Sequence, residues 1–221
     1  MKLKRTLLIN LTIIAAMLAL SLWAWIQLPT NSQIPMHFDA TGVPDRYAGK
    51  SGLLELPAVA LGLSLLFVVV PSIEPLQKNI QRSHKAYTAS SIIAVAAIAT
   101  IHTAITFIAL GQPVSIPNVV NIVIGLTFIV TGNYASKIRR NFFFGFRTPW
   151  TLSSERAWHK THRLGSWLLL PHGVAFFAAG LLSASFLVTC VLTVSLIVSL
   201  LLVLPVYSYQ IWKTDPNRLT Q

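Results

Sequence analysis

Charged residues are scarce in this sequence of 221 residues, and acidic residues are especially few. Only 10% of the residues are charged, whereas a soluble domain usually carries about 25%. Hydrophobic residues make up 54% of the chain and mean hydropathy is +0.65. Too little polar surface remains to cover a soluble globule, so the composition predicts that the lipid bilayer is the solvent of this chain.

Cysteine is nearly absent, which excludes a disulfide-stabilised fold and a metal site built from cysteines. The chain has one cysteine, Cys190, which lies in an apolar run and has no second cysteine with which to form an intrachain disulfide. The chain has 17 Lys+Arg against 6 Asp+Glu, a net charge of +11. In a soluble protein this excess would suggest a nucleic-acid partner, but here the positions of the charges explain it without direct nucleic-acid binding.

Six long apolar stretches are present. A helix needs about 20 mostly apolar residues to cross a bilayer. The predicted spans are about 7–25, 54–70, 91–110, 119–130, 165–182 and 184–207. The fourth is the shortest, with Pro117 and Gly132 near its ends. The first begins like a signal peptide, but its apolar run exceeds the usual length of about 7–15 residues and no small-residue cleavage site follows, so a retained helix is predicted.

The basic residues divide unequally between alternate connections of these spans. One set of connections carries 15 Lys and Arg, and the other set carries two, Arg46 and Lys50. The positive-inside rule places the larger set in the cytoplasm, where it can also contact anionic lipid head groups. The prediction is an all-α integral membrane protein with about six transmembrane helices and cytoplasmic N- and C-termini.

The first long connection, residues 27–53, is called the hairpin segment. Apolar residues at 34, 36 and 38 alternate with Pro35, His37 and Asp39, and residues 39–42 have turn chemistry. This pattern predicts a strand, a turn and an extended return. The polar residues expected to gather around the turn are His37, Asp39, Asp45, Arg46 and Lys50. They form either an outward-facing binding surface or a turn whose polar groups satisfy one another.

The second long connection, residues 133–164, is called the motif segment. Residues 141–150 are aromatic and basic, and Gly145 and Pro149 are expected to break any helix there. A helix is predicted to start after Ser153 or Ser154 and to continue into the fifth span. On that helix Ala157, Thr161 and Gly165 share a small face, while Trp158 and His162 lie one turn apart.

Three interpretations of the motif segment remain open. It could be an interfacial platform in which basic residues bind phosphates and the four phenylalanines Phe142, Phe143, Phe144 and Phe146 insert at the head-group level. It could be a metal or catalytic site, because Glu155, His159 and His162 are spaced at i, i+4 and i+7, although no HExxH signature supports this. It could also be a docking site for a cytoplasmic partner.

Polar residues within the predicted spans offer a further hypothesis. His102 lies in the third span, Asn121 at the start of the fourth and His172 in the fifth. Ionisable groups in a span often mark a transport path, whereas neutral polar groups also make ordinary interhelical hydrogen bonds. The spans contain no Asp or Glu beyond the boundary residue Glu55, so a proton relay has little support. A small-molecule or ion transporter is therefore the alternative function.

The two segments together resemble a known family. Residues 34–50 resemble the Pro-x-His, Gly-x-Pro-Asp-x-Tyr and Lys pattern of a bacterial membrane domain of unknown function. Residues 132–163, with Gly-Phe-Arg-Thr-Pro-Trp-Thr-Leu at 145–152 and Trp-His-Lys-Thr-His-Arg at 158–163, are similar to the SdpI immunity-protein family. The resemblance implies an N-terminal membrane domain over 1–110 and an SdpI-like domain over 111–221.

The resemblance also implies a function and a set of residues. Members protect a bacterium from a secreted antimicrobial peptide toxin, and some pass a signal by drawing a transcriptional repressor to the membrane, so no enzyme activity, cofactor or metal is expected. The hairpin residues that match the pattern are Pro35, His37, Gly42, Asp45, Tyr47 and Lys50. The motif residues that match are Asn133, Asn141, Gly145, Arg147, Thr148, Pro149, Trp150, Thr151, Trp158, Thr161 and His162. Arg147 is the expected central motif residue, because its guanidinium can grip a phosphate or carboxylate bidentately.

Overall fold

The computed structural model describes residues 3–218 as a bundle of helices with one small hairpin. In chain order the elements are α1 (Leu3–Gln27), β1 (Ile34–Phe38), β2 (Pro44–Ala48), α2 (Glu55–Ile73), α3 (Gln77–Arg82), α4 (His84–Ala109), α5 (Ile116–Ala135), α6 (Pro149–Ser153), α7 (Glu155–Leu181), α8 (Phe186–Val198) and α9 (Leu204–Lys213). A 3₁₀ turn, Lys50–Leu54, leads from β2 into α2, and a π-helical turn, Ser199–Val203, joins α8 to α9.

Within this part of the chain, six helical segments are long and apolar enough to cross a membrane. They are Lys4–Gln27, Lys50–Ile73, His84–Ala109, Ile116–Ala135, Glu155–Leu181 and Phe186–Lys213. The six predicted spans are confirmed, and most extend further than predicted. The fourth starts at Ile116 because Pro117 fits the first turn of a helix, where its missing N–H is not needed. Gly132 lies inside this helix rather than at its end.

The connections meet at two ends of the bundle. The turn of the hairpin packs on the start of α5, since a Cβ on Gly42 would lie 2.6 Å from the Cδ atom of Pro117. Near the other end, the Asn10 amide of α1 donates to the Ser91 hydroxyl of α4 at 2.9 Å. We call these the hairpin end and the motif end. The motif segment lies at the latter, with the α2–α4 connection.

The closest helix pair is α5 and α7, and glycines make the approach possible. A Cβ on Gly173 would lie 2.7 Å from the backbone nitrogen of Ile129, and a Cβ on Gly180 would lie 2.7 Å from the carbonyl oxygen of Asn118. Small residues are the usual means by which helix backbones approach closely in a membrane, where the hydrophobic effect does not drive helix association. This pair provides the rigid base from which the motif segment projects.

Helices α1, α2 and α4 form the second group. Ile14, Met17, Ala60 and Val95 are buried where these helices meet. In contrast, α8 buries none of its residues and lies at the edge of the bundle, with its apolar side chains facing outward. The two groups of helices thus present one segment each at opposite ends.

Candidate functional site

The predicted hairpin is confirmed, and its base is part of the hydrophobic core. β1 pairs antiparallel with β2, with Ile34 opposite Ala48 and Phe38 opposite Pro44. Ile34 is fully buried in a cluster with Ala24, Leu28, Leu53 and Ile105, which belong to helices and to the 3₁₀ turn. Pro35 is buried as well. The hairpin is therefore fixed to the bundle along β1, while β2 faces outward.

Asp39 organises the turn of the hairpin. Its carboxylate accepts hydrogen bonds from the Thr41 hydroxyl at 2.7 Å, the Thr41 N–H at 2.8 Å and the Val43 N–H at 2.9 Å. These bonds, the Thr41 hydroxyl foremost, lower the pKa of Asp39 below its ordinary value. Gly42 adopts φ +88°, a conformation that favours glycine. Asp39 and Gly42 therefore build the turn, as the structural interpretation of this segment expected.

The outward face of the hairpin carries exposed polar groups. His37 Nδ1 lies 2.6 Å from Asp45 Oδ1, and the two side chains are 61% and 49% exposed. Arg46 and Tyr47 beside them are also exposed. Lys50 does not join this group, because its ammonium donates to the Leu28 carbonyl at 2.7 Å and lies 5.6 Å from the Trp25 ring centroid. The five polar residues predicted to cluster therefore have two roles. His37, Asp45 and Arg46 are exposed on the outward face. Asp39 and Lys50 bond to the backbone and stabilise the fold.

The connection between α5 and α6, residues 136–148, is called the motif loop. At the motif end, side chains from the α2–α4 connection form hydrogen bonds that hold this loop in place. The Glu74 carboxylate accepts from the Phe142 N–H at 3.0 Å and from the Leu76 N–H at 2.9 Å, and Glu74 is 2% exposed. Two further side chains of the connection bond to backbone groups of the loop: the Asn79 amide donates to the Arg140 carbonyl at 2.8 Å, and the Ser83 hydroxyl accepts from the Arg139 N–H at 2.8 Å. The N-terminal half of the chain therefore holds the central motif of the C-terminal half.

Asn141 fixes the shape of the loop from within. It is fully buried, and its amide group donates to the carbonyls of Arg139 and Phe144 at 2.9 and 3.0 Å. Its carbonyl oxygen accepts from the N–H groups of Phe143 and Phe144 at 2.9 and 2.8 Å. Because the amide makes four hydrogen bonds to the backbone, its role in this loop is structural.

The four phenylalanines do not form one platform. Phe144 packs edge-on against Tyr87, with ring centroids 5.3 Å apart. Phe146 packs beside the His162 ring at 5.2 Å and against Gly165, where a Cβ would overlap its ring. Phe142 and Phe143 are the exposed pair, at 46% and 37%. The predicted four-ring platform is therefore wrong for two of its members, because they fill the space beneath the loop.

His162 and Trp158 form the core of the motif segment, as the helical spacing predicted. Their rings stack with centroids 4.1 Å apart, and both residues are fully buried. The Trp158 indole donates to the Ile138 carbonyl at 2.7 Å. His162 Nδ1 lies 2.8 Å from the Trp158 carbonyl, and its Nε2 accepts from the Phe146 N–H at 2.9 Å. A carbonyl can only accept and an N–H can only donate, so this geometry requires the neutral Nδ1–H tautomer.

This arrangement removes His162 from the metal or catalytic interpretation of the motif segment. Both ring nitrogens of His162 are used by the backbone, so neither can ligate a metal. His159 instead approaches Glu155, with 3.5 Å between Nε2 and Oε2. Across residues 3–218, no group of three or more His, Cys, Asp or Glu side chains is placed to hold a metal ion.

The turn Thr148–Thr151 begins a short helix rather than ending one. The Thr148 hydroxyl accepts from the Thr151 N–H at 3.1 Å, and the Thr151 hydroxyl accepts from the Thr148 N–H at 2.8 Å. Pro149 occupies the first turn of α6, so the expectation that it breaks any helix is wrong. The Thr148 hydroxyl also lies 3.0 Å from that of Ser208, and Trp150 packs edge-on against Tyr209. These contacts attach the motif to α9.

Ser154 is the N-cap of α7. Of the two residues predicted for the start of this helix, Ser153 and Ser154, the second is therefore correct. Its hydroxyl accepts from the Ala157 N–H at 2.9 Å and donates to the Asp215 carboxylate. This hydrogen bond from Ser154 is the main reason that the pKa of Asp215 lies below its ordinary value. The chain after α9 is therefore tied to the start of α7, where Ser153 is the last residue of α6.

The remaining motif residues have contrasting environments. Arg147 is exposed, and its Nη1 donates to the Phe142 carbonyl at 2.6 Å. Gly145 has φ +108°, and a Cβ there would overlap His162 Nε2, so this position has no room for a side chain. Thr161 is fully buried on α7, and Asn133 is exposed near the end of α5.

Polar residues within the spans connect helices. His102 Nε2 lies 3.1 Å from the Ser21 hydroxyl and 3.2 Å from the Met17 carbonyl. His172 Nδ1 lies 2.8 Å from the Leu168 carbonyl, and its Nε2 lies 3.1 Å from the Ser195 hydroxyl. The Asn121 amide of α5 donates to the Thr189 hydroxyl of α8 at 3.0 Å. These contacts account for the side chains as interhelical hydrogen-bonding groups.

The clamp residues Glu74, Asn79 and Ser83 and the tether Asp215 were missed by sequence reasoning. One feature of the sequence could have indicated the role of Glu74. No Asp or Glu occurs between Glu74 and Glu155, so Glu74 is an isolated acid in a basic region. An acid in that position is expected to have a specific partner, and here the partners are backbone N–H groups.

Comparisons with known proteins match both segments. Residues 137–208 match the SdpI/YfhL protein family, and residues 12–61 match a domain of unknown function, DUF1648. The motif segment and the helices that follow it are thus similar to the SdpI/YfhL family. These likenesses and the six apolar helices make the chain a multi-pass bacterial membrane protein.

The chain is also similar to a curated protein, the Immunity protein SdpI of Bacillus subtilis (strain 168). The two are 26% identical over 102 residues, which are 46% of this chain and 49% of that protein. The match thus spans about half the length of the curated relative. No solved structure matches the chain.

Proposed function

We propose that this protein is a membrane immunity protein that protects a bacterium from a secreted antimicrobial peptide. The observation that carries the proposal is the hairpin, an ordered structure with a buried base and an exposed polar face. The likeness to an immunity protein of Bacillus subtilis supports the same function and a non-enzymatic role.

The charge distribution supports an outward-facing hairpin. The Lys and Arg residues of the motif end far outnumber its three acids, Glu74, Glu155 and Asp215. Among the described residues three ion pairs form, and Arg140 is the only Lys or Arg in any of them. Such an uncompensated positive end belongs in the cytoplasm. The hairpin then faces outside, and both termini are cytoplasmic.

The hairpin suits a peptide ligand because it is preorganised. β1 is held in the core through Ile34, and Asp39 fixes the turn, so little conformational entropy is lost when a ligand binds. His37, Asp45 and Arg46 offer charges and hydrogen bonds, and Tyr47, 52% exposed, offers apolar contact area. Tyr and Arg are the residue types that most often anchor such interfaces.

The motif end is the proposed site of signalling to the cytoplasm, including recruitment of a transcriptional repressor. Helix α2 connects the two ends directly: it follows the hairpin through the turn Lys50–Leu54 and is followed by Glu74, which holds the motif loop. Residues 1–110 and 111–221 would thus act as an outer-sensing and an inner-signalling domain. A shift of α2 on peptide binding would reach the loop through this carboxylate.

The test is survival of a sensitive bacterium that expresses the protein and is challenged with a panel of secreted antimicrobial peptides. A membrane-potential dye reports protection. We expect the wild type to retain its potential against at least one peptide, and His37→Ala and Asp45→Ala to lose most of that protection at equal expression. Gln33→Ala, an exposed substitution just before β1, is the matched control and should protect fully.

Two results would contradict the proposal. One is loss of potential with the wild type against every peptide. The other is full protection by a His37→Ala, Asp45→Ala double variant, which would place the ligand elsewhere.

A further inference from the structure

The exposed tip of the motif loop combines two aromatic rings with a guanidinium. We propose that this tip, Phe142, Phe143 and Arg147, binds an anionic lipid of the cytoplasmic leaflet. Arg147 would contact the lipid phosphate, and the two rings would lie at the boundary between head groups and acyl chains. The inference uses the cytoplasmic orientation of the motif end but is independent of protection against a peptide.

The loop backbone enforces the exposure of the rings. The Phe142 N–H donates to buried Glu74 at 3.0 Å, and its carbonyl accepts from Arg147 at 2.6 Å. The Phe143 N–H donates to Asn141 at 2.9 Å. With the space beneath the loop filled by Phe144 and Phe146, the first two rings cannot turn inward. Two adjacent rings displayed in this way at the end of a membrane helix pair can insert at the boundary between head groups and acyl chains, as the apolar residues of interfacial segments do.

The charge around the tip favours an anion. Arg147 takes part in no ion pair among residues 3–218, and its hydrogen bond to the Phe142 carbonyl uses one of its five N–H donors, which leaves the others for a ligand. No Asp or Glu occurs between Glu74 and Glu155 in the sequence. Glu74 is buried beneath the loop and accepts two N–H groups, while Glu155 pairs with Arg140 at 3.5 Å. Glu74 touches the tip at the Phe142 N–H, but its carboxylate is buried and already accepts two N–H groups, so neither of these acids pairs with Arg147.

The position of the tip selects a lipid as the occupant. The motif loop follows α5 at Ala135 and leads through the short helix α6 into α7 at Glu155, and both α5 and α7 are membrane spans. The loop packs on α4 through Tyr87 and on α7 through His162, so its tip stays close to the head groups, which carry phosphates. Guanidinium binds phosphate bidentately, and rings at the interface add apolar contact. One tip thus supplies both halves of the chemistry that an anionic lipid needs.

The test uses the full chain, purified and incorporated into nanodiscs of defined composition. Bound lipid is counted by native mass spectrometry, and the thermal unfolding midpoint is measured in phosphatidylglycerol and in phosphatidylcholine with the same acyl chains. We expect retained phosphatidylglycerol and a higher midpoint with that lipid for the wild type. Arg147→Ala should weaken retention about tenfold or more, since a hydrogen bond to a charged group contributes about 1.5–3 kcal/mol.

Three further variants separate the parts of the site. Arg163→Ala removes an exposed arginine of the same segment from α7 and should retain lipid as the wild type does. Arg147→Lys keeps the charge without the bidentate fork and should show an intermediate loss. Phe142→Ser with Phe143→Ser keeps every charge and should also reduce retention, which identifies the contribution of the rings.

Several outcomes would overturn the proposal. Equal loss in Arg163→Ala and Arg147→Ala would show that general positive charge attracts the lipid. Equal midpoints in the two lipids would remove the anionic preference. A midpoint shift reproduced by inorganic phosphate in phosphatidylcholine discs would show that the ligand is a soluble phosphate.

Discussion

The two ends of this membrane protein use polar side chains in opposite ways. At the hairpin end, the hydrogen bond between His37 of β1 and Asp45 of β2 is exposed on the outward face of the hairpin. At the motif end, Asn141, Thr151 and His162 are buried and their polar atoms bond to the backbone. Histidine, asparagine and threonine in a motif thus do not by themselves indicate chemistry. Here the difference in exposure separates groups that can meet a ligand from groups that shape a loop.

The two ends also differ in charge. The charge of the hairpin end is nearly balanced. The hairpin segment and the start of α2 contain two basic residues, Arg46 and Lys50, and three acids, Asp39, Asp45 and Glu55. The motif end has a large excess of Lys and Arg, with few acids to oppose it. A balanced end suits specific contacts with a peptide, whereas an uncompensated positive end suits a surface of anionic lipid.

The sharpest way to break this comparison is to remove the buried core of the motif segment. Trp158→Ala deletes an indole that stacks on His162 and donates to the Ile138 carbonyl. We expect a loss of about 3–5 kcal/mol in the free energy of unfolding, as for other buried Trp and Phe truncations. Chemical unfolding in detergent measures the loss. Trp167→Ala is the matched control, because that ring is 70% exposed. Equal losses in the two variants would contradict the assigned core.

The next test concerns the clamp between the two halves of the chain. Glu74→Ala leaves the N–H groups of Phe142 and Leu76 without their acceptor and should cost about 1–3 kcal/mol. Glu74→Gln keeps one acceptor oxygen and should cost less. Hydrogen exchange should show faster exchange at residues 139–144 in the alanine variant, while the hairpin stays protected.

Glu55→Ala is the control for the clamp, because Glu55 is an exposed acid at the opposite end of the same helix. It should leave exchange in the motif loop unchanged. If Glu74→Ala has the same small effect as Glu55→Ala, the loop is held by its internal bonds to Asn141 alone.

The spans and the hairpin were predictable because their signals are local. The apolar runs gave six helices, and the alternation of residues 34–38 gave β1. The stacking of Trp158 and His162 followed from helical spacing within one turn. Each of these features depends on residues that are close in the sequence.

The clamp could not be predicted in the same way. Glu74 and Phe142 are 68 residues apart, and Ser83 and Arg139 are 56 apart. No periodic pattern joins a side chain to a distant backbone N–H, so only the packed structure brings them together. The packed structure also decides which of the four phenylalanines are exposed. The sequence suggested the same interfacial role for all four, but Phe144 and Phe146 pack in the space below the loop.

The smallest expected effect is at the hairpin turn and depends on pH. The pKa of Asp39 in the folded protein is lowered, chiefly by the hydrogen bond from the Thr41 hydroxyl, so the ionised carboxylate stabilises the folded state. Its contribution to turn stability is complete above the ordinary pKa of 3.8 and is lost as the pH falls through the lowered folded value. Amide exchange at Thr41 and Val43 should therefore accelerate, relative to the intrinsic rate, only below about this pH. Asp39→Asn, which cannot titrate, should abolish that pH dependence while β1 stays protected through buried Ile34; a wild-type profile identical to that of the variant would mean that the carboxylate does not hold the turn.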